Sequence, residues 1–159
     1  VRFVVEVVEA VSAAIGPQRT ALRISPGHMF NDLVDADPRQ THAILLDALP
    51  TAEMAYVHLM LADSFSPSLN NAGDPNEVLA LVRQHTKGNL LAAGNLTPER
   101  AAALLEQGAV QAAVFGRPFI ANPDLVARWQ SHTPLAAPDE ALFYTPGPEG
   151  YSDYPAVIR

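Results

Sequence analysis

Hydrophobic residues recur along the chain in two alternating patterns, one helical and one extended. Apolar residues appear at helical spacing from residue 2 to residue 15, where Gly16-Pro17 ends the run. Beyond it, short apolar runs predict four strands: TALRISP at 20–26, MAYVHLML at 54–61, NLLAAGN at 89–95 and VQAAVFG at 110–116. The amphipathic segments predict helices at residues 2–15, 39–49, 74–88, 97–108 and 122–130.

Four of the predicted helices begin with a short polar residue followed by proline. The polar side chain can cap the helix N-terminus, and proline suits the first helical position because no backbone N–H is needed there. The pairs are Asp37-Pro38, Asp74-Pro75, Thr97-Pro98 and Asn122-Pro123. Gly88 and Gly108 predict the ends of two of these helices.

The alternation of strands and helices with short loops predicts an α/β fold, a parallel sheet covered by helices. Two architectures fit equally well, a small doubly wound sheet and half of a (β/α)8 barrel. A full barrel needs about 250 residues, whereas this chain has 159 and opens on a helix with no strand before it. After residue 131 the pattern stops, and proline, glycine and tyrosine predict an irregular tail with one short turn at DEAL. We therefore expect a domain at 1–131 and a tail at 132–159 packed on it.

Composition narrows the class of protein. With 48% hydrophobic residues and a formal charge of -7, the chain is typical of one acidic globular domain. The negative charge and the lack of a basic face argue against nucleic acid and anionic membranes as partners, and no apolar stretch predicts a membrane span. The absence of cysteine excludes disulfides and thiolate metal sites and favours the cytoplasm.

Polar residues at the carboxyl ends of parallel strands are candidate site residues, because ligands of such folds bind there. Arg23 lies within the first strand, where a buried guanidinium needs either an anionic ligand or an acid on a neighbouring strand, and the two readings are equally favoured. Gly94 and Asn95 precede one helix N-terminus, and Gly116 and Arg117 precede another. Side by side, these two turns predict an anion site, with phosphate as the expected anion.

Several other kinds of chemistry lack a sequence signal. The five histidines are scattered without zinc-site spacing, so no metal is predicted. There is no GxSxG nucleophile motif, no GxGxxG and no GxxxxGKS. His58, inside the second strand, is either a ligand contact or a core histidine whose hydrogen bonds are satisfied, and the second interpretation is favoured.

Five segments of the chain form a recognisable set: ALRISPGHMFN, AYVHL, LLAAGNLTPERA, AVFGRPFIANPDLVARW and ALFYTPGPEGYSDYP. Taken together, they resemble the C-terminal half of the old yellow enzymes, the family of FMN-dependent NAD(P)H:alkene oxidoreductases. Members of the family are (β/α)8 barrels. The resemblance therefore implies a half-barrel whose four strands are equivalent to strands five to eight, and it decides between the two architectures.

The resemblance also implies a role for each candidate residue. Arg23 is expected at the pyrimidine edge of the flavin, Gly94 and Asn95 at the FMN phosphate, and Gly116 and Arg117 at the other side of that phosphate.

Two further residues are expected near the substrate. Tyr144 matches the tyrosine that borders the substrate side of the flavin, and Phe65 is expected to line the substrate pocket. The family's carbonyl-binding pair and its proton-donating tyrosine belong to the N-terminal half, so no catalytic residue is expected in this chain.

The function implied is that of the FMN-binding half of an ene-reductase, which passes hydride from NAD(P)H through flavin to an alkene activated by a carbonyl or nitro group. Catalysis is expected to need the N-terminal half-barrel, and the chain alone to be inactive. The expected partners are that half or a second copy of the chain. The alternatives are a non-catalytic half-barrel that self-associates and, less favoured, a doubly wound module that binds a phosphate ligand.

Overall fold

The computed structural model describes residues 1–29, 32–61 and 72–157, which form two compact units. The first unit is Val1–Val114 and the second is Phe115–Arg159. Among the helices in these ranges, none combines the length and the apolar character needed to cross a membrane.

The first unit is a four-stranded parallel sheet with its connecting helices. Its elements are α1 (Arg2–Ile15), β1 (Ala21–Ile24), α2 (Pro38–Ala48), β2 (Tyr56–Met60), α3 (Pro75–His85), β3 (Leu90–Ala93), α4 (Pro98–Glu106) and β4 (Ala112–Val114). The strands lie in the order β1-β2-β3-β4, and every neighbouring pair is parallel. The parallel α/β sheet predicted from the sequence is confirmed.

The helices of the first unit pack against one face of this sheet. Alternate strand residues point into the shared core, namely Ile24, Val57, Leu59, Leu90 and Ala92. The helices supply Val8, Leu45, Leu46, Val78, Val82 and Leu104. Because side chains alternate along a strand, the residues between the core positions lie on the opposite face, which none of these helices covers. We call it the open face; one row across it is Arg23, His58, Leu91 and Ala112.

This arrangement separates the two architectures that the hydrophobic pattern alone left open. A doubly wound sheet reverses its strand order and carries helices on both faces, whereas here the order is sequential and the helices lie on one face. Sequential strands with helices on the outside are the geometry of a (β/α)8 barrel. The first unit is therefore half of such a barrel.

The caps predicted for α2, α3 and α4 are present. Asp37 Oδ1 accepts a hydrogen bond from the Gln40 N–H at 3.0 Å, and Asp74 Oδ1 accepts one from Asn76 at 2.8 Å. Thr97 Oγ1 accepts from the Arg100 N–H at 3.2 Å. In each case the following proline is the first helical residue, so the polar-proline signal located these helix starts.

The sequence predicted that Gly88 ends α3, but it does not. The helix ends at His85, three positions earlier. A Cβ placed on Gly88 would lie 2.1 Å from the carbonyl oxygen of Thr51. The glycine is needed because two backbone segments approach closely there, and its role as a helix stop was the wrong interpretation.

The second unit contains two short helices, α5 (Arg117–Ala121) and α6 (Leu125–Gln130), and an irregular tail with a 3-10 turn at Glu140–Leu142. The helix predicted at 122–130 was wrong at its start, because Asn122 does not cap it. The Asn122 amide is buried; it donates to the carbonyls of Pro118 at 2.8 Å and Ala136 at 3.0 Å, and accepts from the Ala136 N–H at 2.8 Å. Asn122 therefore fixes the beginning of the tail to the end of α5.

Candidate cofactor-binding site

Arg23 stands at the end of the row on the open face, on the edge strand β1. Its side chain is exposed, and its partner in register on β2 is His58. The expected burial of Arg23 was therefore wrong. Strand β2, YVHLM, contains no acid, so it does not supply the acidic partner that was one of the two alternatives. The exposure leaves the guanidinium accessible to an anionic ligand on this face, and planar paired donors suit the edge of a heterocycle.

His58 lies beside Arg23 on the open face and is half-buried. Its Nε2 atom is fully buried and has no hydrogen-bond partner within the described residues. Burial and, secondarily, the charge of Arg23 lower the pKa of His58, which keeps the imidazole neutral at neutral pH. The interpretation of His58 as a fully hydrogen-bonded core histidine was wrong. The sequence signal that could have indicated a role at the site was the position of His58 opposite Arg23 in the neighbouring predicted strand.

Gly94 and Asn95 form the turn between β3 and α4. Both have positive φ, 105° for Gly94 and 44° for Asn95, a region that glycine enters freely and asparagine tolerates better than most residues. The turn leads into the N-terminus of α4, where the helix dipole favours negative charge. Consistent with this, the pKa of the exposed Glu99 carboxyl is lowered by its own backbone N–H and then by the Thr97 side chain.

Gly116 belongs to the second unit and follows β4, the strand that pairs with β3 through Ala93 and Val114. Its φ is -107°, so no left-handed conformation requires glycine. A Cβ built on Gly116 meets no atom within 4 Å. Neither strain nor packing among the described residues explains the glycine, and the open space beside its backbone leaves room for a ligand to approach closely.

Arg117 is the first residue of α5 and is half-buried. Its guanidinium carbon lies 5.9 Å from the centre of the Phe143 ring, within the range of a cation–π contact. Because that contact restrains the guanidinium, its planar donors are held in a limited set of orientations.

A cavity of about 410 Å³ lies in the second unit. Its lining is Gly116, Phe119, Ile120, Leu142, Phe143, Thr145, Gly150 and Tyr151. Tyr144, the predicted substrate-side residue, follows Phe143 and is 83% exposed. Phe65, the other predicted pocket residue, lies outside the described residues.

Each unit, considered by itself, offers groups that suit an anionic ligand. The first unit offers an exposed cation at Arg23 and a glycine-asparagine turn before a helix, and the second offers Arg117, an unhindered glycine backbone and an aromatic cavity. Over the described part of the chain, no three histidine or acidic side chains are grouped so as to hold a metal ion.

The family model described as the NADH:flavin oxidoreductase / NADH oxidase family matches residues 1–136. The chain belongs to this family. The family predicted from the five sequence segments is confirmed, and the family's description names the flavin and nicotinamide chemistry that the resemblance implied.

Individual relatives agree with this assignment. The chain is 42% identical over 154 residues to a protein of Leishmania infantum described as a probable flavin mononucleotide-dependent alkene reductase, covering 97% of this chain and 40% of that protein. The structure of this chain is similar to that of the old yellow enzyme from Trypanosoma cruzi, with a TM-score of 0.87 and 32% identity. The match covers 99% of this chain and 40% of that one. For morphinone reductase in complex with tetrahydroNAD, the TM-score is 0.83 at 35% identity, with 99% and 41% covered. The chain thus spans about 40% of the length of the relatives it matches.

Proposed function

We propose that this chain is the FMN-binding half-barrel of an ene-reductase, which passes hydride from NAD(P)H through flavin to activated alkenes, and that turnover needs the other half of the barrel. One observation carries the proposal: the family match runs through both glycine turns, Gly94-Asn95 and Gly116-Arg117, which follow the neighbouring strands β3 and β4. The carboxyl ends of neighbouring barrel strands are where phosphate sites are built.

In the first unit, Arg23 is assigned to the pyrimidine edge of the flavin, where a cation stabilises the negative charge of the reduced ring. Its exposure on the open face and the absence of an acid on β2 support this assignment. The backbone of Gly94 and Asn95 is assigned to the phosphate, supported by their left-handed turn before α4.

In the second unit, Gly116 and Arg117 are assigned to the FMN phosphate. A guanidinium gives charge-assisted hydrogen bonds to phosphate oxygens, and a glycine lets the backbone approach them. Tyr144 is assigned to the substrate side of the flavin, supported by its exposure beside the cavity, and Phe65 to the substrate pocket.

When bound, FMN would supply the redox chemistry, namely hydride transfer from NAD(P)H to the β-carbon of an alkene polarised by a carbonyl or nitro group. The residues of this chain would bind and orient the cofactor: Arg23 would hold its pyrimidine edge, Arg117 its phosphate, and Tyr144 would border the substrate. No proton donor or carbonyl-binding residue is assigned to the chain. An alkene reductase and a tetrahydroNAD complex among the relatives support the two substrates.

The partner we assign is the N-terminal half-barrel, or a second copy of the chain in its place. Supporting this, the helices of the first unit leave one sheet face open, and the chain spans about 40% of its relatives. The same open face favours the second candidate, a non-catalytic half-barrel that self-associates.

We assign the protein to the cytoplasm, which the lack of cysteine supports.

FMN titration, followed by quenching of flavin fluorescence, tests the cofactor assignment. We expect the chain to quench the flavin and keep it through dialysis. Arg117→Ala should weaken binding about tenfold or more, as expected for lost charge-assisted hydrogen bonds. Arg2→Ala, at an exposed arginine of α1, is the matched control and should bind as the wild type. A wild-type chain that leaves flavin fluorescence unchanged contradicts the proposal.

NADPH oxidation by an enone tests the need for the other half-barrel. We expect none from this chain alone, and activity once a polypeptide with strands one to four is added. Turnover by the chain alone would refute that requirement. A stable dimer by size-exclusion mass that never takes up FMN would instead favour the self-associating half-barrel.

A further inference from the structure

Arg23 and His58 are direct neighbours on the open face. They are partners in register on the parallel strands β1 and β2, so their side chains leave the sheet on the same side. Neighbouring strands are about 4.8 Å apart, a distance that an arginine side chain can span. The next residue of the row, Leu91 on β3, offers no polar group to either of them.

The imidazole of His58 has an unused polar atom. Nε2 is fully buried, yet no described residue hydrogen-bonds to it. A buried polar atom without a partner is costly, and native folds keep very few of them. The exposed guanidinium one strand away is the nearest polar group in the row that could satisfy it.

The chemistry of the two side chains is complementary only while His58 is neutral. A guanidinium has donors and no acceptor, whereas a neutral imidazole has one ring nitrogen that accepts. Burial and the charge of Arg23 both lower the pKa of His58, so the accepting form is the one present at neutral pH.

We propose that His58 is a positioning residue for Arg23: when the exposed Arg23 side chain turns toward it, Nε2 accepts a hydrogen bond from the guanidinium and then holds that cation on the open face, at the pyrimidine edge of the flavin. The position of Arg23 at the flavin rests on the proposed function, which assigns Arg23 to that edge. His58 itself does not contact the reacting atoms in this scheme. It acts by limiting the orientations of a long, otherwise exposed side chain.

Two variants of His58 separate hydrogen bonding from packing. His58→Phe keeps a ring but removes the nitrogen, and His58→Gln keeps a neutral acceptor. We expect His58→Phe to weaken FMN binding about tenfold, the effect of losing one hydrogen bond to a charged group, and His58→Gln to restore most of it. The phenylalanine variant should also lower the reduction potential of bound FMN, because a less fixed cation stabilises the reduced flavin less.

A double variant and a control variant complete the test. In Arg23→Ala protein, His58→Phe should have no additional effect on FMN binding, because the two residues act through one contact. His42→Gln is the control: His42 lies on α2, where its Nδ1 contacts the Pro38 carbonyl oxygen at 2.7 Å, so its loss should leave FMN binding unchanged.

A measurement on the cofactor-free chain distinguishes the Arg23–His58 contact from the proposed binding of FMN. In ¹H–¹⁵N NMR spectra of the free chain, the Arg23 side-chain Nε–H should be shifted and exchange slowly, and His58→Phe should move it to the position of a free arginine. If the wild-type chain binds no FMN but shows this pattern, the proposed function fails and the positioning contact stands. If Arg23 already resembles a free arginine in the wild type, or if His58→Phe is equally harmful in Arg23→Ala protein, the positioning role is overturned.

Discussion

The Nε atom of Arg128 donates to Oδ1 of Asp124 at 2.7 Å, and the two side chains are only 5% and 6% exposed. The other guanidinium nitrogens of Arg128 donate to the carbonyl oxygens of Pro134 at 3.1 Å and Pro155 at 3.4 Å. Oδ2 of Asp124 accepts from the Val157 N–H at 2.8 Å. One buried ion pair thus fastens both ends of the irregular tail to α6, and the loop between those ends carries part of the cavity wall.

Replacing Arg128 by alanine should strongly destabilise the second unit. The change leaves the Asp124 carboxylate buried without its cation, which typically costs about 3–5 kcal/mol in the free energy of unfolding. Trp129, the only tryptophan, lies on α6 against Phe115 and reports on this unit by fluorescence during urea unfolding. The control is Arg2→Ala at the exposed Arg2–Glu6 pair, where we expect a change of no more than about 0.5 kcal/mol. Equal effects of the two variants would contradict the structural role of the buried pair.

Gly88→Ala should destabilise the first unit, because the added methyl carbon would lie 2.1 Å from the Thr51 carbonyl oxygen. We expect a loss of about 3 kcal/mol, the upper end of the usual cost of overpacking. Gly116→Ala is the matched control for folding, since its Cβ meets open space, and its melting temperature by circular dichroism should equal that of the wild type. Gly116→Ala should nevertheless weaken FMN binding if a phosphate approaches that backbone. A Gly88→Ala protein as stable as the wild type would show that the two segments separate easily.

His58 should make the stability of the chain depend on pH below its ordinary pKa of 6.5. Because the folded state lowers the pKa of His58, the unfolded chain binds the proton more readily, so the stability is full above about pH 6.5 and falls as the pH decreases. The measurement compares urea midpoints of the wild type and His58→Gln at about pH 7.5 and about pH 5.5. We expect the wild type to lose more stability than the variant. Parallel curves would mean that His58 titrates alike in the folded and unfolded chains.

Substitutions at Asn95 should separate the role of its backbone from that of its side chain. Its φ of 44° is strained for alanine, so Asn95→Ala should cost about 1 kcal/mol, whereas glycine adopts this conformation without strain. Asn95→Gly should therefore fold and, if the backbone holds the phosphate, bind FMN as well as the wild type. A loss of FMN binding by Asn95→Gly at unchanged stability would assign the contact to the side-chain amide instead.

The order of helices and strands in the first unit was predictable because its signals are local. A capping side chain and the following proline act within one helical turn, and Asp37, Asp74 and Thr97 all behave as their sequence suggests. Asn122-Pro123 carries the same signal but behaves differently, because the Asn122 amide is engaged by Ala136, fourteen positions along the chain. A hydrogen-bond partner that distant in sequence cannot be predicted from the residues next to Asn122.

The environment of the candidate site residues was harder to predict than their positions. Hydrophobic patterning shows that a strand is buried on at least one face, but it does not say whether helices cover the other. Arg23 was therefore expected to be buried, although it lies exposed on the open face, and His58 was expected to have hydrogen-bond partners that the described residues do not supply. Both expectations depended on the layer arrangement, which only the resemblance to a known family indicated in advance.

Asn122 also bears on the chemical durability of the second unit. Its amide donates two hydrogen bonds to carbonyl oxygens, and hydrolysis of the amide to a carboxylate would replace those donors with an acceptor facing the same oxygens. Asparagine usually hydrolyses through a ring closed by the nitrogen of the next residue. Here that residue is Pro123, whose nitrogen carries no hydrogen and cannot close the ring by that route. Pro123, which the sequence suggested as a helix start, thus protects Asn122 against deamidation and preserves its hydrogen bonds to the tail.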